Sequence, residues 1–136
     1  MTPEAVRYDD ARGSLEVLRV SERCSIFVAR GHLTEKLANA IGTEGGRIVS
    51  SGRAVALHDW SGLTGYDPIA RQICTSFMVE HRRGFEEVTI LATSALVAMG
   101  VNVANLGLGG FLHATTDRDE FEALVRRFRP IADDGG

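Results

Sequence analysis

The chain has 136 residues, of which 44% are hydrophobic and 24% are charged, and this is the composition of one folded globular domain. A chain of this length can bury roughly two-thirds of the surface that it exposes when unfolded, so intrinsic disorder is excluded for its body. The 15 Lys and Arg residues are balanced by 18 Asp and Glu residues, and they form no basic stripe. We therefore expect no nucleic-acid partner.

Targeting signals and metal motifs are missing from the sequence. No apolar run approaches the ~18–20 residues that span a bilayer, and the N-terminus lacks the basic start and apolar stretch of a secretory signal. Cys24 and Cys74 lie far apart inside apolar segments, with no CxxC motif and no histidine at ligand spacing. We expect a cytoplasmic chain with no membrane span, no metal and no cofactor.

The first part of the chain predicts two or three strands followed by a helix. Strands are expected near residues 6–8, over 15–20 and over 24–30, where apolar side chains cluster. After Gly31, Leu and Ile side chains recur four residues apart and predict a helix. Each glycine costs up to ~1 kcal/mol in a helix interior. The glycines that follow therefore predict a stop near Gly42 and a restart beyond it.

Strands and helices alternate in the rest of the chain. The apolar run within residues 53–60 is typical of a strand that is buried on both faces. Asp67 and Pro68 predict the start of a helix, with Asp67 as its cap, and the periodicity ends near Arg83. The remaining expected elements are a strand at 88–92, a helix capped at 93–94, a strand at 110–114 and a helix capped at 116–117.

This order of elements predicts an α/β fold. Strands that alternate with helices indicate right-handed parallel crossovers, and the early strands supply a mixed edge. We expect a mixed, mainly parallel sheet of four to six strands with about four helices. No linker or repeat divides the chain, so a single domain is expected over residues 1–136, with its core at about 5–129 and a flexible C-terminal tail at 130–136.

The most informative segment joins the end of the buried strand to the start of the helix at Pro68. Open α/β sheets usually carry their sites at such strand ends. The segment holds six polar or aromatic residues, which are Asp59, Trp60, Ser61, Thr64, Tyr66 and Asp67. One interpretation is a surface that binds a partner or a ligand. The other is a polar loop held by side-chain hydrogen bonds to the backbone, with both rings packed nearby.

A catalytic constellation cannot be assembled from the sequence. His58 and Asp59 are adjacent in a strand and therefore point to opposite faces. Ser61 lacks the GxSxG elbow of a nucleophilic serine, and the glycines at 107–110 match no phosphate-binding motif. The other three histidines are isolated along the chain. We therefore expect no enzymatic activity.

The order of elements and the candidate segment together resemble the STAS family, which is named for sulfate transporters and anti-sigma-factor antagonists. The resemblance covers about residues 15–128. Its matching points are Asp59-Trp60-Ser61 at a strand end, Leu63 and Tyr66-Asp67 before the second helix, the run 88–91, and the exit segment 111–120.

The resemblance implies a non-enzymatic regulatory or scaffolding domain. It would bind a partner protein, such as a regulator or a kinase, through residues 59–67 and the exposed side of the second helix. In the anti-sigma antagonists, a Ser or Thr just after the aspartate at that helix start is phosphorylated. Here Pro68 follows Asp67, so that switch is missing. Ser61 and Thr64 are the Ser and Thr residues left in the segment, and a phosphate on either would disrupt docking through its charge.

The function and the surroundings of the third helix each have an alternative interpretation. Some members of the family are likened to lipid-carrying domains, which makes a small-ligand carrier or sensor, for a nucleotide or a lipid, the alternative function. The third helix has apolar residues on more than one face. Either it is sandwiched between the sheet and a neighbouring element, which we favour, or its outer face meets a ligand or a second subunit. A homodimer is the expected oligomeric state.

Overall fold

The computed structural model describes residues 4–128, and its centre is a six-stranded sheet. The strands lie side by side in chain order: β1 (Glu4–Asp10), β2 (Gly13–Arg19), β3 (Cys24–Leu33), β4 (Ala54–Tyr66), β5 (Phe85–Leu91) and β6 (His113–Thr115). The pairs β1–β2 and β2–β3 are antiparallel, whereas β3–β4, β4–β5 and β5–β6 are parallel. The predicted α/β fold with a mixed, mainly parallel sheet is confirmed.

The described residues also form four α-helices: α1 (Glu35–Val49), α2 (Pro68–His81), α3 (Ala95–Gly107) and α4 (Arg118–Phe128). The first three connect neighbouring parallel strands, so right-handed crossovers place them on the same face of the sheet. α4 packs on the opposite face. No helix within residues 4–128 is long and apolar enough to cross a membrane. The tail expected at 130–136 lies outside the described residues, and the limits of the domain stay a prediction.

β4 is buried on both faces because alternate side chains of its apolar run enter two separate cores. Ala54 and Ala56 belong to the larger core, which lies between the sheet and α1, α2 and α3. Val55 and Leu57 belong to the smaller core, which Phe121 of α4 completes. Burying a large apolar side chain contributes roughly 1.5–3 kcal/mol, so these contacts anchor both helical layers to the sheet. The prediction of a strand buried on both faces is confirmed.

α1 runs without a break through the glycines at which the sequence predicted an interruption. An alanine at Gly45 would place its Cβ 2.9 Å from the ring of Phe77 on α2, so this glycine lets the ring approach the α1 backbone. Here the tertiary contact outweighs the low helix propensity of glycine, and the predicted interruption was wrong. The helix also begins later than predicted, since Leu33 still belongs to β3 and Thr34 caps α1 by accepting a hydrogen bond from Leu37 N at 3.3 Å.

Residues 61–66, which follow the strand predicted over residues 53–60 and were predicted as a loop, also belong to β4. β4 continues because β3 continues beside it, and their pairing runs from Arg30 and Gly62 to Leu33 and Tyr66. Two register shifts interrupt this pairing, and each one inserts one extra residue in β4. The polar residues and glycines that suggested a loop therefore form a bulged strand, and the prediction of a loop was wrong.

The last strand of the described residues, β6, begins at His113, later than the sequence predicted. Gly109 and Gly110 have positive φ angles of 66° and 80°, so the chain is still turning where the strand was expected. Asn105 fixes this turn from the end of α3. Its side chain donates to Leu112 O at 2.9 Å and accepts from Leu112 N at 2.8 Å.

Candidate functional site

The six predicted site residues do not form one surface, because β4 directs its side chains to both faces of the sheet. They divide into Asp59 and Ser61 on the side of α4, Trp60 and Tyr66 on the side of α1–α3, and Thr64 and Asp67 at the exposed end of β4. The alternation of side chains along a strand separates Trp60 from Asp59 and Ser61, and the two bulges shift this alternation further along β4, where Leu63 also faces the larger core. Each group therefore has its own neighbours.

Asp59, Ser61 and Arg118 form a polar cluster between β4 and the first turn of α4. Ser61 Oγ donates to Asp59 Oδ1 at 2.6 Å, and the Arg118 guanidinium donates to Ser61 Oγ at 2.6 Å and to Asp59 Oδ2 at 3.3 Å. Burial alone would raise the pKa of Asp59, but hydrogen bonds from Ser61 and Arg118 outweigh burial and hold that pKa below its usual value. Asp59 is therefore an ionised contact for α4.

Asp67 is the N-cap residue of α2, yet its side chain makes no hydrogen bond to the helix. Its Oδ1 instead lies 2.8 Å from His32 Nε2 and accepts from Arg12 Nη1 at 3.3 Å. These contacts join the β1–β2 turn, the end of β3 and the start of α2. The predicted helix start at Pro68 is confirmed, whereas the predicted side-chain cap was wrong because His32 and Arg12 engage the carboxylate.

Thr64 and Tyr66 differ in their exposure. Thr64 is exposed, and its Oγ1 donates to Gly31 O at 3.3 Å. Tyr66 is half-buried and packs against the larger core. A Cβ at Gly100 of α3 would lie 2.5 Å from the Tyr66 hydroxyl oxygen, so this ring reaches the backbone of α3. Tyr66 thus positions α3, and Thr64 is open to solvent and to partners.

Trp60 faces a cavity of about 80 Å³ that lies between the sheet and the layer of α1, α2 and α3. Its indole meets the His58 ring edge-on, with 5.4 Å between ring centroids, and His58 stacks on Phe27 at 4.4 Å. Burial lowers the pKa of His58 to about 3, so the imidazole is neutral at neutral pH. Among the described residues, His58 Nδ1 and Trp60 Nε1 have no hydrogen-bond partner.

The outer side of α3 is uncovered. Its inner side packs on the sheet through Val97, Gly100 and Val101. Four large apolar side chains on the outer side are exposed, and these are Leu96, Met99, Val103 and Leu106. Their spacing of three or four residues aligns them in one stripe, and Leu106 is 84% exposed. The favoured interpretation, that α3 is sandwiched between the sheet and a neighbouring element, was therefore wrong.

Two histidines that are isolated in the sequence contact carboxylates in the structure. One is His32 beside Asp67, and the other is His113, whose Nε2 lies 2.6 Å from Glu120 Oε2. The contact with His113, together with a hydrogen bond from Thr115, holds the pKa of Glu120 below its usual value. Over residues 4–128, no three His, Cys, Asp or Glu side chains come together in a group that could hold a metal ion.

Three basic residues that were not predicted from the sequence complete these polar clusters: Arg12, His32 and Arg118. Arg12 and His32 are 55 and 35 positions from Asp67, and Arg118 is 59 positions from Asp59. No local motif marks such pairs. The extension of β3 beside β4 would have pointed to His32, since that pairing brings the ends of the two strands together.

Solved structures with the same fold as this chain include two proteins of low sequence identity. One is the crystal structure of an uncharacterized protein of the DUF3478 family with a SpoIIAA-like fold, from Shewanella loihica PV-4. It is 17% identical, with a TM-score of 0.58, and the match covers 90% of this chain and 93% of that chain. The other is an anti-sigma factor antagonist from Mycobacterium paratuberculosis. It is 14% identical, with a TM-score of 0.55, and the match covers 92% and 95% of the two chains.

These similarities establish the fold. The chain has the SpoIIAA-like, STAS-type fold in a divergent form, so the resemblance inferred from the sequence is confirmed at the level of the fold. No protein-family model matches the chain, and no curated protein matches it.

Proposed function

We propose that this chain is a non-enzymatic regulatory domain that binds a partner protein through one surface of its helical layer. This helical surface consists of the exposed end of β4 and the outer sides of α2 and α3, with the residues Thr64, Asp67, Ile69, Val79, Leu96, Met99, Val103 and Leu106. The hypothesis from the sequence placed binding on residues 59–67 and the second helix. The helical surface includes α2 and the end of that segment, and it also includes α3. Asp59, Trp60 and Ser61 lie outside it.

The distribution of exposed apolar side chains carries this proposal. In residues 4–128, seven large apolar side chains are exposed, and all except Val6 lie on α2 or α3. Scattered single residues of this kind are normal on a surface, whereas a contiguous apolar stripe, such as the four aligned side chains of α3, is typical of an interaction site. α3 also has no charged residue along its 13 residues. Depletion of charge is typical of the core of a protein–protein interface.

The fold supports a regulatory partner. One of the structures with this fold is an anti-sigma factor antagonist, a protein that by its name opposes an anti-sigma factor. By analogy, the partner of this chain would be a regulator such as an anti-sigma factor or a kinase. Independently of the fold, the uncharged stripe on α3 favours a protein partner. The expected cytoplasmic location and homodimer stay predictions.

Phosphorylation of Ser61 or Thr64 would regulate this surface in different ways. Thr64 is exposed at the edge of the helical surface, so a phosphate there would add about −1.5 to −2 charges beside Asp67. Ser61 is half-buried, and its hydroxyl is already engaged by Asp59 and Arg118. A phosphate on Ser61 would break that cluster and loosen α4. Thr64 is therefore the better placed of the two hydroxyls for direct control of docking.

Affinity capture with matched variants tests the proposal. The wild-type chain, Leu106→Glu and the control Val6→Glu would each be used as bait in lysate of the source cell, with quantitative mass spectrometry of the captured proteins. Burial of one large apolar side chain contributes roughly 1.5–3 kcal/mol, so Leu106→Glu should reduce capture of the partner at least about tenfold. Val6→Glu adds the same charge on β1 and should leave capture unchanged.

Two results would contradict the proposal. One is a partner that all three baits capture equally, which would locate binding elsewhere on the chain. The other is the absence of any protein enriched by the wild-type bait. Circular dichroism of each variant confirms that its fold is intact before capture is compared.

A further inference from the structure

Two arginines lie along one edge of the apolar stripe on α3. Arg82 directly follows α2, is exposed, and donates a hydrogen bond from Nη1 to Leu108 O at 3.1 Å. This contact holds its guanidinium at the end of α3, next to the exposed side chain of Leu106. Arg71, on α2, is half-buried and lines the cavity between the sheet and the helices together with Ala104 of α3. We call Arg71 and Arg82 the arginine pair.

The arginine pair runs beside the apolar stripe over nearly the same length. α2 and α3 each connect two neighbouring parallel strands, so the two helices run in the same direction. Arg71 and Arg82 are 11 positions apart, which is about three helical turns and puts both on one side of α2. At 1.5 Å per residue the pair spans ~16 Å, and the stripe from Leu96 to Leu106 spans ~15 Å.

No carboxylate neutralises the arginine pair in the part of the chain that the structure describes. Within residues 4–128, neither arginine forms an ion pair, and α3 contains no charged residue. The one carboxylate of α2, that of Glu80, lies in the groove between α1 and α2, 3.7 Å from His81. The stripe is therefore bordered by positive charge, which complements a partner surface that carries carboxylates.

Arg82 is held in a position that suits the binding of a carboxylate. Its hydrogen bond to Leu108 O uses one of the five N–H donors of the guanidinium, so the other donors stay available. A planar guanidinium binds a carboxylate through two parallel hydrogen bonds, and arginine is enriched at protein–protein interfaces. Because this contact already orders the Arg82 side chain, binding costs less conformational entropy than it would for a mobile arginine.

We propose that the partner presents an acidic amphipathic helix to this surface. Its apolar side chains pack on the stripe of α3, and carboxylates along one edge of the helix pair with Arg71 and Arg82. A helix of about three turns fits a straight apolar row of this length, because its own apolar side chains recur every three or four residues. This proposal rests on the proposed function and specifies the chemistry of the partner.

Two other occupants fit the observations less well. Anionic membranes are typically recognised by clusters of about four to eight Lys or Arg side chains, whereas two arginines border this stripe and the chain carries a net charge of −3. A second copy of the chain would bring an α3 stripe that holds no carboxylate. Contact between two such stripes would therefore not neutralise the arginine pair.

Nuclear magnetic resonance with two synthetic helical peptides tests the charge of the occupant. Both peptides have the same leucine face at helical spacing, and the residues that flank this face are Glu in one peptide and Lys in the other. Methyl ¹³C labelling of methionine gives separate signals for Met99, which is exposed on the stripe, and Met78, which is buried. The Glu peptide should shift the Met99 signal more than the Met78 signal and bind at least about tenfold more tightly than the Lys peptide.

Charge-reversal variants locate the residues that select the acidic peptide. Arg71→Glu and Arg82→Glu should each abolish or reverse the preference for the Glu peptide. Arg126→Glu makes the same change of charge at an exposed position of α4, on the opposite face of the sheet, and is the matched control that should keep the preference. Raising the salt concentration should reduce the preference of the wild-type chain, because salt screens exposed charges.

Four outcomes would overturn the proposal. The first is a Glu peptide that binds no more tightly than the Lys peptide. The second is a preference that survives both Arg71→Glu and Arg82→Glu. The third is a Met99 signal that responds to phosphatidylglycerol vesicles and to neither peptide, which would make an anionic membrane the occupant. The fourth is a Met99 signal that shifts with protein concentration alone, which would make a second copy the occupant. If a variant fails to fold, the two peptides on the wild-type chain still decide.

Failure of this proposal is distinguishable from failure of the proposed function. In the affinity capture, a partner that is lost with Leu106→Glu but retained with Arg71→Glu and Arg82→Glu would leave the proposed function intact and contradict the acidic helix. A partner that is retained with all three variants would contradict the proposed function itself. Loss of the partner with each of the three, together with the expected preference for the Glu peptide, would support both.

Discussion

At the scale of single residues, the burial of His58 couples the stability of the fold to pH. Burial lowers the pKa of His58 from 6.5 to about 3 in the folded chain. Between these two values the unfolded chain binds a proton that the folded chain does not bind. Protonation of His58 in the unfolded chain therefore does not lower the free energy of unfolding above about pH 6.5. Below that pH, the free energy of unfolding falls progressively until the pH reaches the folded pKa.

This coupling gives a prediction for the free energy of unfolding. Between pH 7.0 and pH 5.5, the wild-type chain should lose about 1 kcal/mol more than His58→Leu, which has no imidazole to titrate. Urea unfolding of both proteins at the two pH values measures the difference. An equal loss in both proteins would mean that His58 is protonated in the folded state and is therefore not buried as described.

Individual contacts of this site could be predicted only where they are local. The opposite directions of His58 and Asp59 follow from the geometry of a strand, and the structure confirms them, because His58 stacks on Phe27 while Asp59 meets Arg118. Arg118 itself could not be predicted, since it is 59 positions away and reaches Asp59 only when α4 crosses the sheet. The same holds for His32 beside Asp67.

At the scale of elements, α1 is a continuous helix although it contains adjacent glycines in its interior. Gly45 faces α2, where a Cβ would come within 2.9 Å of the Phe77 ring. Gly46 is exposed, and a Cβ there would meet nothing within 4 Å. The two neighbouring glycines therefore have different roles: the first allows α2 to approach, and the second only lowers helix propensity.

We predict that Gly46→Ala stabilises the fold more than Gly45→Ala does. Gly46→Ala should stabilise the fold by roughly 0.5–1 kcal/mol, because alanine favours the helix and creates no clash. Gly45→Ala gains the same propensity but forces Phe77 away from α1, so it should stabilise less or destabilise the fold. Thermal unfolding of both variants measures this. A higher melting temperature for Gly45→Ala than for Gly46→Ala would contradict the close packing of α1 and α2.

The element whose form the sequence predicted least well is the second half of β4. Its first half has a continuous apolar run and was predicted correctly as a strand buried on both faces. Its second half contains Ser61-Gly62 and Thr64-Gly65, and such pairs are typical of loops. The structure keeps them in the strand because β3 continues beside them and two bulges absorb the extra residues. Strand pairing is a tertiary property, which the local sequence does not contain.

At the scale of the whole molecule, the fold class was predictable because strands alternate with helices along most of the chain, which restricts the sheet to a mainly parallel arrangement. The exposure of the outer side of α3 was not predictable in the same way. An apolar helix of this composition is usually covered, and the number of layers that cover it depends on the packing of the complete fold. Here α2 lies beside α3, and none of the described elements covers the outer side of α3.

The central claim of the proposed function is that a second protein covers this exposed side of α3. Site-specific photocrosslinking in cells of the source organism tests it most directly, with a photoreactive amino acid placed at Met99, at Leu106 or at the control position Val6. We predict an adduct with a different protein from Met99 and Leu106, and none from Val6. No adduct at the two positions on α3, an equal adduct at Val6, or an adduct with a second copy of the same chain would contradict the claim.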